Sequence, residues 1–100
     1  MIVHLNDSNF DAEIAGKKTV MIDFFATWCG PCKMFAPTFE KVSETSDAMF
    51  VKVDVDQAPE IARRFRIMSV PTIIKLVDGE IAAKTMGAIS ETALVQMVNG

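Results

Sequence analysis

The sequence predicts an α/β fold in which a mixed central sheet of five strands is flanked by four helices. Strand-like and helix-like segments alternate along the first part of the chain, an order typical of parallel strands joined by crossover helices. Near the end, two strand-like segments are separated only by Asp78-Gly79, a tight-hairpin dipeptide, which makes that pair antiparallel. With 100 residues, 50% of them hydrophobic, the chain is expected to form one domain over residues 1–100.

The chain begins with a short strand and a helix. Ile2 to Leu5 is the strand, and the four-residue spacing of Phe10 and Ile14 places both on one face of the helix. Asp7 and Ser8 precede this helix, and their side-chain oxygens can accept hydrogen bonds from its free amides. We therefore expect these two residues to cap it.

A central strand and a long helix follow. Thr19 to Thr27 is rich in β-branched and aromatic residues, and it is largely apolar on both alternating faces, as expected of a strand covered on both sides. Lys33 to Ser46 is predicted to be helical because bulky apolar residues recur there at helical spacing: Phe35, Phe39 and Val42.

The second half of the chain contains three further strands and two helices. Phe50 to Val55 is a buried strand, and the next helix is marked by Ala58, Ile61, Ala62 and Phe65. Val70 to Val77 and Glu80 to Met86 are the strands of the hairpin. Ser90 can cap a last helix, which carries its apolar residues inward: Leu94, Met97 and Val98.

Composition and charge exclude several classes of function. Ten basic against 13 acidic residues give a net charge of −3, so no basic excess exists to neutralise phosphates. We therefore expect neither nucleic acid nor an anionic membrane as a partner. No apolar run approaches the roughly 20 residues of a membrane span, and the first residues lack the pattern of a targeting segment. These features predict a cytoplasmic protein.

The two cysteines carry the chemistry of the sequence. They are too few to staple a small secreted scaffold or to supply a four-ligand zinc site. Cys29 and Cys32 lie where the central strand is predicted to end and a helix to begin, and a helix N-terminus stabilises a thiolate, so the pKa of Cys29 is expected to fall. One helical turn separates the two thiols, which suits a reversible disulfide. Half of a zinc site and two incidental core cysteines remain as alternatives.

Several stretches of the sequence match one family. The most specific are Trp-Cys-Gly-Pro-Cys at residues 28–32 and Val-Pro-Thr at residues 70–72. Further matching stretches cover residues 20–24, 26–34, 36–37, 52–56, 78–80 and 87. The chain resembles thioredoxins over its whole length, and the resemblance implies the thioredoxin fold.

The resemblance implies a protein thiol–disulfide oxidoreductase. Cys29 is then expected to attack a target disulfide, and Cys32 to resolve the mixed disulfide and release the reduced target. The electrons are expected to come from NADPH through a thioredoxin reductase. The chain itself is expected to bind no nicotinamide or flavin, since no GxGxxG motif follows a strand, and no metal, since two cysteines are too few for a zinc site.

Asp23 and Lys52 are candidate catalytic residues. Asp23 interrupts an apolar strand face, and burial should raise its pKa and make it a proton acceptor for Cys32. The resemblance implies the same role for Asp23, and a purely structural buried polar group is the alternative. Lys52 resembles the lysine that pairs electrostatically with that aspartate, and an exposed strand lysine is the alternative.

The resemblance also implies a docking surface for target proteins around the motif. Pro71 resembles the family's cis-proline, which would turn the backbone groups of Val70 toward the motif, where an extended target segment could pair with them. An ordinary proline at the start of a strand is the alternative. The other residues of the predicted surface are Trp28, Gly30, Pro31 and Gly87. For Trp28 and Gly87 the alternatives are a core tryptophan and a turn at the end of a strand.

Three positions depart from the usual family pattern. Phe25 stands where many members have tryptophan, and Ser69 precedes Val-Pro where glycine is common. Lys75 occupies a strand position that is usually apolar. These departures leave the expected reaction unchanged and bear on the choice of partner.

Other classes of function stay open at this point. An oxidase or isomerase of the same fold is one, although such relatives often carry histidine between the cysteines where this chain has Gly-Pro. A non-enzymatic subunit or chaperone with this fold is another, and a metal-binding module is the third. The sequence favours a monomeric, cytoplasmic reductase of protein disulfides.

Overall fold

A computed structural model describes all 100 residues of the chain. The strands are β1 (Ile2–Leu5), β2 (Thr19–Phe25), β3 (Met49–Asp54), β4 (Thr72–Val77) and β5 (Glu80–Met86). The helices are α1 (Phe10–Ile14), α2 (Gly30–Ser43), α3 (Pro59–Arg64) and α4 (Glu91–Asn99). The predicted α/β fold, a mixed sheet of five strands with four helices, is confirmed. None of these helices has both the length and the apolar character needed to span a membrane.

Strand β2 lies at the centre of the sheet, whose strand order is β1-β3-β2-β4-β5. Both β1 and β2 run parallel to β3, whereas β4 runs antiparallel to β2 and to β5. The predicted hairpin between β4 and β5 is present. Asp78 and Gly79 both have positive φ angles, 52° and 85°, as a two-residue turn of type I′ requires.

The alternating side chains of β2 contribute to two apolar cores, one on each face of the sheet. Val20, Ile22 and Phe24 belong to a cluster that also includes residues of α1 and α3. Met21 points to the opposite face, where the cluster includes residues of α2 and α4. This explains why the sequence of β2 is apolar on both faces. Asp23 follows in the same alternation as Met21, and it therefore lies on the side of the sheet covered by α2.

Helix α2 begins three residues earlier than predicted, at Gly30, and ends at Ser43 instead of Ser46. The early start has a local cause. Cys29 has an extended backbone and acts as the N-cap, and its sulfur accepts a hydrogen bond from the amide of Cys32. The whole of the Gly-Pro-Cys segment therefore forms the first turn of the helix.

Two strands are shorter than predicted at the end nearest to the cysteines. Strand β2 ends at Phe25 instead of Thr27, and β4 begins at Thr72 instead of Val70. Pro71 has no N–H to donate to a sheet ladder, which accounts for the late start of β4. Strands β1, β3 and β5 agree with their predicted limits to within one residue, and α1, α3 and α4 lie where the apolar spacing predicts helices.

Asp7 caps a helix, but not the one that the sequence predicts. Its carboxylate accepts hydrogen bonds from the amides of Glu60 and Ile61 in the first turn of α3, at 3.2 and 2.9 Å. The N-cap of α1 is Asn9, and no side chain caps that helix, so the predicted capping by Asp7 and Ser8 is wrong. The N-cap position of α3 is an alanine, whose side chain has no oxygen to accept a hydrogen bond. Folding brings the carboxylate of Asp7 to that helix end instead.

Replacing Asp7 with alanine is expected to lower the free energy of unfolding by about 1 kcal/mol, because two amides of α3 lose their acceptor. Urea denaturation measures the loss. Asp7→Asn retains an acceptor oxygen and should keep most of the stability, and Ser8→Ala is the neighbouring control. A loss at Ser8 as large as that at Asp7 would contradict this assignment.

Lys75 is buried in β4, in register with Met21 of β2 and Ala83 of β5. Its Nζ donates a hydrogen bond to the carbonyl oxygen of Gly100, just beyond the C-terminal end of α4, at 2.8 Å. A lysine stem can pack along apolar surface while its ammonium reaches a helix C-terminus, where a positive charge is favourable. This contact accounts for the lysine at a usually apolar position.

Candidate redox site

Cys29 and Cys32 form a disulfide at the N-terminus of α2, four residues beyond the end of β2. Their Cα atoms are 5.3 Å apart. The amide of Cys32 donates to the sulfur of Cys29 at 3.2 Å. This amide is one of the free N–H groups at the helix start, and such groups stabilise negative charge on a sulfur that becomes a thiolate.

Both cysteines are buried, whereas the residues around them are exposed. The cysteines pack with Ala26 in a small cluster, against half-buried side chains that include Val70. Gly30 and Pro31, between the cysteines, are exposed to solvent. The disulfide is therefore covered by its neighbours and does not lie on a protruding loop.

The segment before β4 lies against the disulfide. The carbonyl oxygen of Val70 is 3.5 Å from the sulfur of Cys29, and the peptide bond between Val70 and Pro71 is cis. The amide of Gly87 donates to the carbonyl oxygen of Pro71 at 2.8 Å. Three residues of the predicted docking surface, Val70, Pro71 and Gly87, thus lie together at the end of the sheet where Cys29 lies.

Ser69 and Thr72 hold the ends of this segment together. The Thr72 hydroxyl donates to the carbonyl oxygen of Ser69 at 2.7 Å, which closes a short turn around Val70 and Pro71. Ser69, the departure from the usual glycine, uses only its backbone in this contact. Its own side chain is exposed beside the site.

Trp28 is exposed next to the cysteines and is fixed by a hydrogen bond. Its Nε1 donates to Oδ2 of Asp56 at 2.9 Å, across 28 residues of sequence. The amide of Asp56 in turn donates to a side-chain oxygen of Asp54 at 2.9 Å. The sequence assigns no role to Asp56. The only signal for it is its place in the shared stretch at residues 52–56, directly beyond the carboxyl end of β3.

Asp23 is fully buried, and neither of its carboxylate oxygens has a hydrogen-bond partner. It lies in register with Lys52 on the neighbouring strand β3, and Nζ of Lys52 is 4.0 Å from its Oδ2. Burial raises the pKa of Asp23 to about 6, and the positive charge of Lys52 opposes that rise. Desolvation is therefore the stronger effect, and Asp23 takes up a proton at a far higher pH than an exposed carboxyl group does.

Lys52 is itself only slightly exposed, and it also contacts an aromatic ring. Its Nζ lies 4.4 Å from the ring centroid of Phe25, a distance at which a cation is attracted to the ring face. Phe25, where many relatives have tryptophan, thus shares the ammonium of Lys52 with Asp23. This contact does not involve the docking surface.

The cysteine pair has no companions with which to bind a metal. No group of three or more His, Cys, Asp or Glu side chains in the structure has the arrangement of a metal site. The chemistry that the cysteine pair supports is exchange between a dithiol and a disulfide, and the side of the sheet that α2 covers also holds a buried acid whose pKa is about 6.

Comparison with known proteins places the chain in a family. The family model named Thioredoxin matches residues 1–100. The thioredoxin of Mycoplasmoides gallisepticum is 44% identical over 94 residues, which cover 93% of this chain and 94% of that protein. The thioredoxin of Staphylococcus haemolyticus is 44% identical over 101 residues, covering 98% of this chain and 95% of that protein.

Solved structures agree with this result. The crystal structure of Schistosoma mansoni thioredoxin superposes with a TM-score of 0.91 at 42% identity, covering 98% of this chain and 93% of that one. The Plasmodium falciparum thioredoxin superposes with a TM-score of 0.90 at 36% identity, covering 97% and 96%. Since the match extends over the whole chain in sequence and in fold, this chain belongs to the thioredoxin family.

Proposed function

We propose that this protein reduces disulfide bonds of other proteins with Cys29 as the attacking thiol and Cys32 as the resolving thiol. As a thioredoxin, the chain is a protein thiol–disulfide oxidoreductase that a thioredoxin reductase recharges. The observation that carries the assignment of roles is the hydrogen bond from the Cys32 amide to the Cys29 sulfur at the start of α2. It supports Cys29 as the attacking thiol, because an amide at the helix start would stabilise negative charge on that sulfur.

In the first step, the thiolate of Cys29 attacks one sulfur of the target disulfide. A bond forms between Cys29 and that sulfur, and the bond between the two target sulfurs breaks. The second target sulfur leaves as a thiolate and takes up a proton. The product is a mixed disulfide that joins the two proteins covalently.

In the second step, Cys32 attacks the sulfur of Cys29. The bond to the target breaks, its second thiolate is released, and the disulfide between Cys29 and Cys32 forms. Two electrons have then passed from the protein to its target. Cys32 must lose its proton for this attack, and Asp23 is the proposed acceptor, since it lies on the α2 side of the sheet with a pKa of about 6. In this proposal Lys52 limits how far that pKa rises, so Asp23 is still a base at neutral pH.

The target is proposed to dock on the surface around the disulfide. Val70 offers its backbone to an extended target segment beside the Cys29 sulfur, from which its carbonyl oxygen is 3.5 Å away. Pro71 shapes this segment, and Gly87 lets a partner backbone approach, because it has no side chain. Trp28, Gly30 and Pro31, which are exposed beside the cysteines in sequence, are proposed to contribute to this surface.

The remaining expectations concern the setting in which the protein works. We propose that residues 1–100 act as a single monomeric domain in the cytoplasm. The electrons are proposed to come from NADPH through the reductase. A formal charge of −3 supports the view that nucleic acid and anionic membranes are not partners.

A coupled assay tests both the reaction and the source of electrons. The protein is mixed with NADPH, a bacterial thioredoxin reductase and insulin, and the oxidation of NADPH is followed together with the precipitation of reduced insulin. Both signals are expected only when all four components are present.

The matched control is the variant in which both Cys29 and Cys32 are alanine, which should give neither signal. Dithiothreitol in place of the reductase separates the two parts of the proposal. Insulin reduction that dithiothreitol supports and the reductase does not would overturn the electron source alone. No acceleration in either assay would overturn the proposed reaction.

A further inference from the structure

Four of the seven large hydrophobic side chains that are exposed in this structure stand at the cysteine end of the molecule. One is Trp28. The other three are methionines: Met34 is 78% exposed, Met68 is 93% exposed and Met86 is 64% exposed. Methionine is an ordinary core filler, so three exposed methionines at one end of a small protein call for a physical reason.

Each of these methionines belongs to a different part of the fold and lies near a residue of the cysteine site. Met34 lies one helical turn after Pro31, so both occupy the same face of α2. Met68 lies two residues before Val70, whose carbonyl oxygen is 3.5 Å from the Cys29 sulfur. Met86 is in register with Thr72, directly after Pro71. We call these three residues the methionine rim.

The rim places thioethers where a target protein would dock, an interpretation that rests on the function proposed above. Flexible, polarisable methionine side chains adapt to differently shaped apolar partners. The same sulfur atoms are oxidisable. A sulfoxide turns an apolar side chain into a polar one and disrupts methionine-rich contacts.

We propose that Met34, Met68 and Met86 form a peroxide-sensitive site, and that their oxidation to sulfoxides weakens the docking of protein targets. In each oxidation, the thioether sulfur attacks one oxygen of a peroxide. The bond between the two peroxide oxygens breaks, a sulfur–oxygen bond forms, and water leaves when the oxidant is hydrogen peroxide. The sulfur loses two electrons and the peroxide gains them.

The disulfide form of the protein separates oxidation of the methionines from oxidation of the cysteines. Its cysteines are already joined and buried, whereas the rim is open to solvent. Peroxide therefore meets the methionines while the redox pair is protected. Oxidation of the methionine rim therefore weakens the binding of protein targets and leaves the exchange reaction of the cysteines unchanged.

The test begins with the disulfide form treated with hydrogen peroxide, with the sulfoxides located by peptide mass spectrometry. The cysteines are then reduced with dithiothreitol, which is removed. The oxidation of the protein by insulin is followed by stopped flow through the fluorescence of Trp28, the only tryptophan. The insulin concentration that gives half the limiting rate is expected to rise about five- to tenfold after peroxide. Reduction of oxidised glutathione, which is too small to cover the rim, should change less than about twofold.

A triple variant with leucine at all three rim positions keeps similar apolar volume without an oxidisable sulfur. It is compared with its own untreated sample, and its half-saturating insulin concentration should be the same before and after peroxide. Met49→Leu, a half-buried position in β3 away from the rim, is the matched control and should stay as sensitive as the parent chain.

Sulfoxides at all three rim positions without a rise in the half-saturating concentration would overturn the inference. So would equal sensitivity of the triple variant. Failure of untreated protein to reduce insulin would instead overturn the proposed function.

Discussion

Replacing Cys29 with serine is expected to lower the rate of insulin reduction by roughly a thousandfold or more. A serine hydroxyl is not ionised at neutral pH and does not attack disulfide sulfur, so the first bond never forms. The surface around residue 29 should be unchanged, because serine is smaller than cysteine and occupies a position that is already buried. The insulin precipitation assay with dithiothreitol measures the loss.

Replacing Cys32 with serine should block the same overall reaction at a later step. Cys29 can still attack the target, but no second thiol is present to release it. The mixed disulfide should therefore accumulate, and intact-mass spectrometry under non-reducing conditions would find it as a covalent complex with a target chain. The Cys29→Ser variant is the matched control, in which no such complex should form. Trapped complexes in the Cys29 variant and none in the Cys32 variant would reverse the two roles.

Much of the fold is predictable because local patterns and global packing agree. Strand β2 is apolar on both faces, and each face meets a separate core. Asp78 and Gly79 are residue types that tolerate a positive φ, which the two-residue turn requires at both positions and which both residues have. In these segments the sequence contains enough local information to predict both the element and its environment.

The wrong capping prediction and the contacts that the sequence does not predict share one physical cause, which is contact between residues far apart in the chain. Asp7 caps α3 across more than 50 residues, and Lys75 reaches the carbonyl of Gly100 across 25. The hydrogen bond from Trp28 to Asp56 spans 28 residues. The sequence shows that a polar side chain can donate or accept a hydrogen bond. It does not show which distant group that side chain will contact in the folded protein. The cysteine motif was accessible to prediction because strand, helix start and both thiols are adjacent in sequence.

Asp23 differs from these residues, because its carboxylate is buried without enough polar contacts to offset the free-energy cost of removing it from water. It has no hydrogen bond, and the ammonium of Lys52 at 4.0 Å is shared with the ring of Phe25. An ionised carboxylate in such a place destabilises the folded state. A residue retained at this cost needs a reason outside stability, and a base for Cys32 is the reason we propose.

Replacing Asp23 with asparagine should therefore stabilise the fold at neutral and higher pH. The pKa of Asp23 is raised from 3.8 to about 6, so the folded state binds this proton more tightly than the unfolded chain does. Stability from this group is fully present below pH 3.8, falls as the pH rises, and is lost above about pH 6. The difference between the two pKa values corresponds to a loss of about 3 kcal/mol for the parent chain, which sets an upper limit on the gain in the variant.

Urea unfolding of both proteins across the range from about pH 4 to pH 8 tests this, since the gap in stability should open as the pH rises. Lys52→Met is an informative companion, because losing the ammonium should raise the pKa of Asp23 further and move the same transition to higher pH. The kinetic counterpart is a slower second step in Asp23→Asn, visible as a longer-lived mixed disulfide. Constant stability differences at every pH would show that Asp23 does not titrate in this range. A parent-like lifetime of the mixed disulfide from about pH 6 to pH 9 would remove Asp23 from the mechanism and leave its burial without a functional reason.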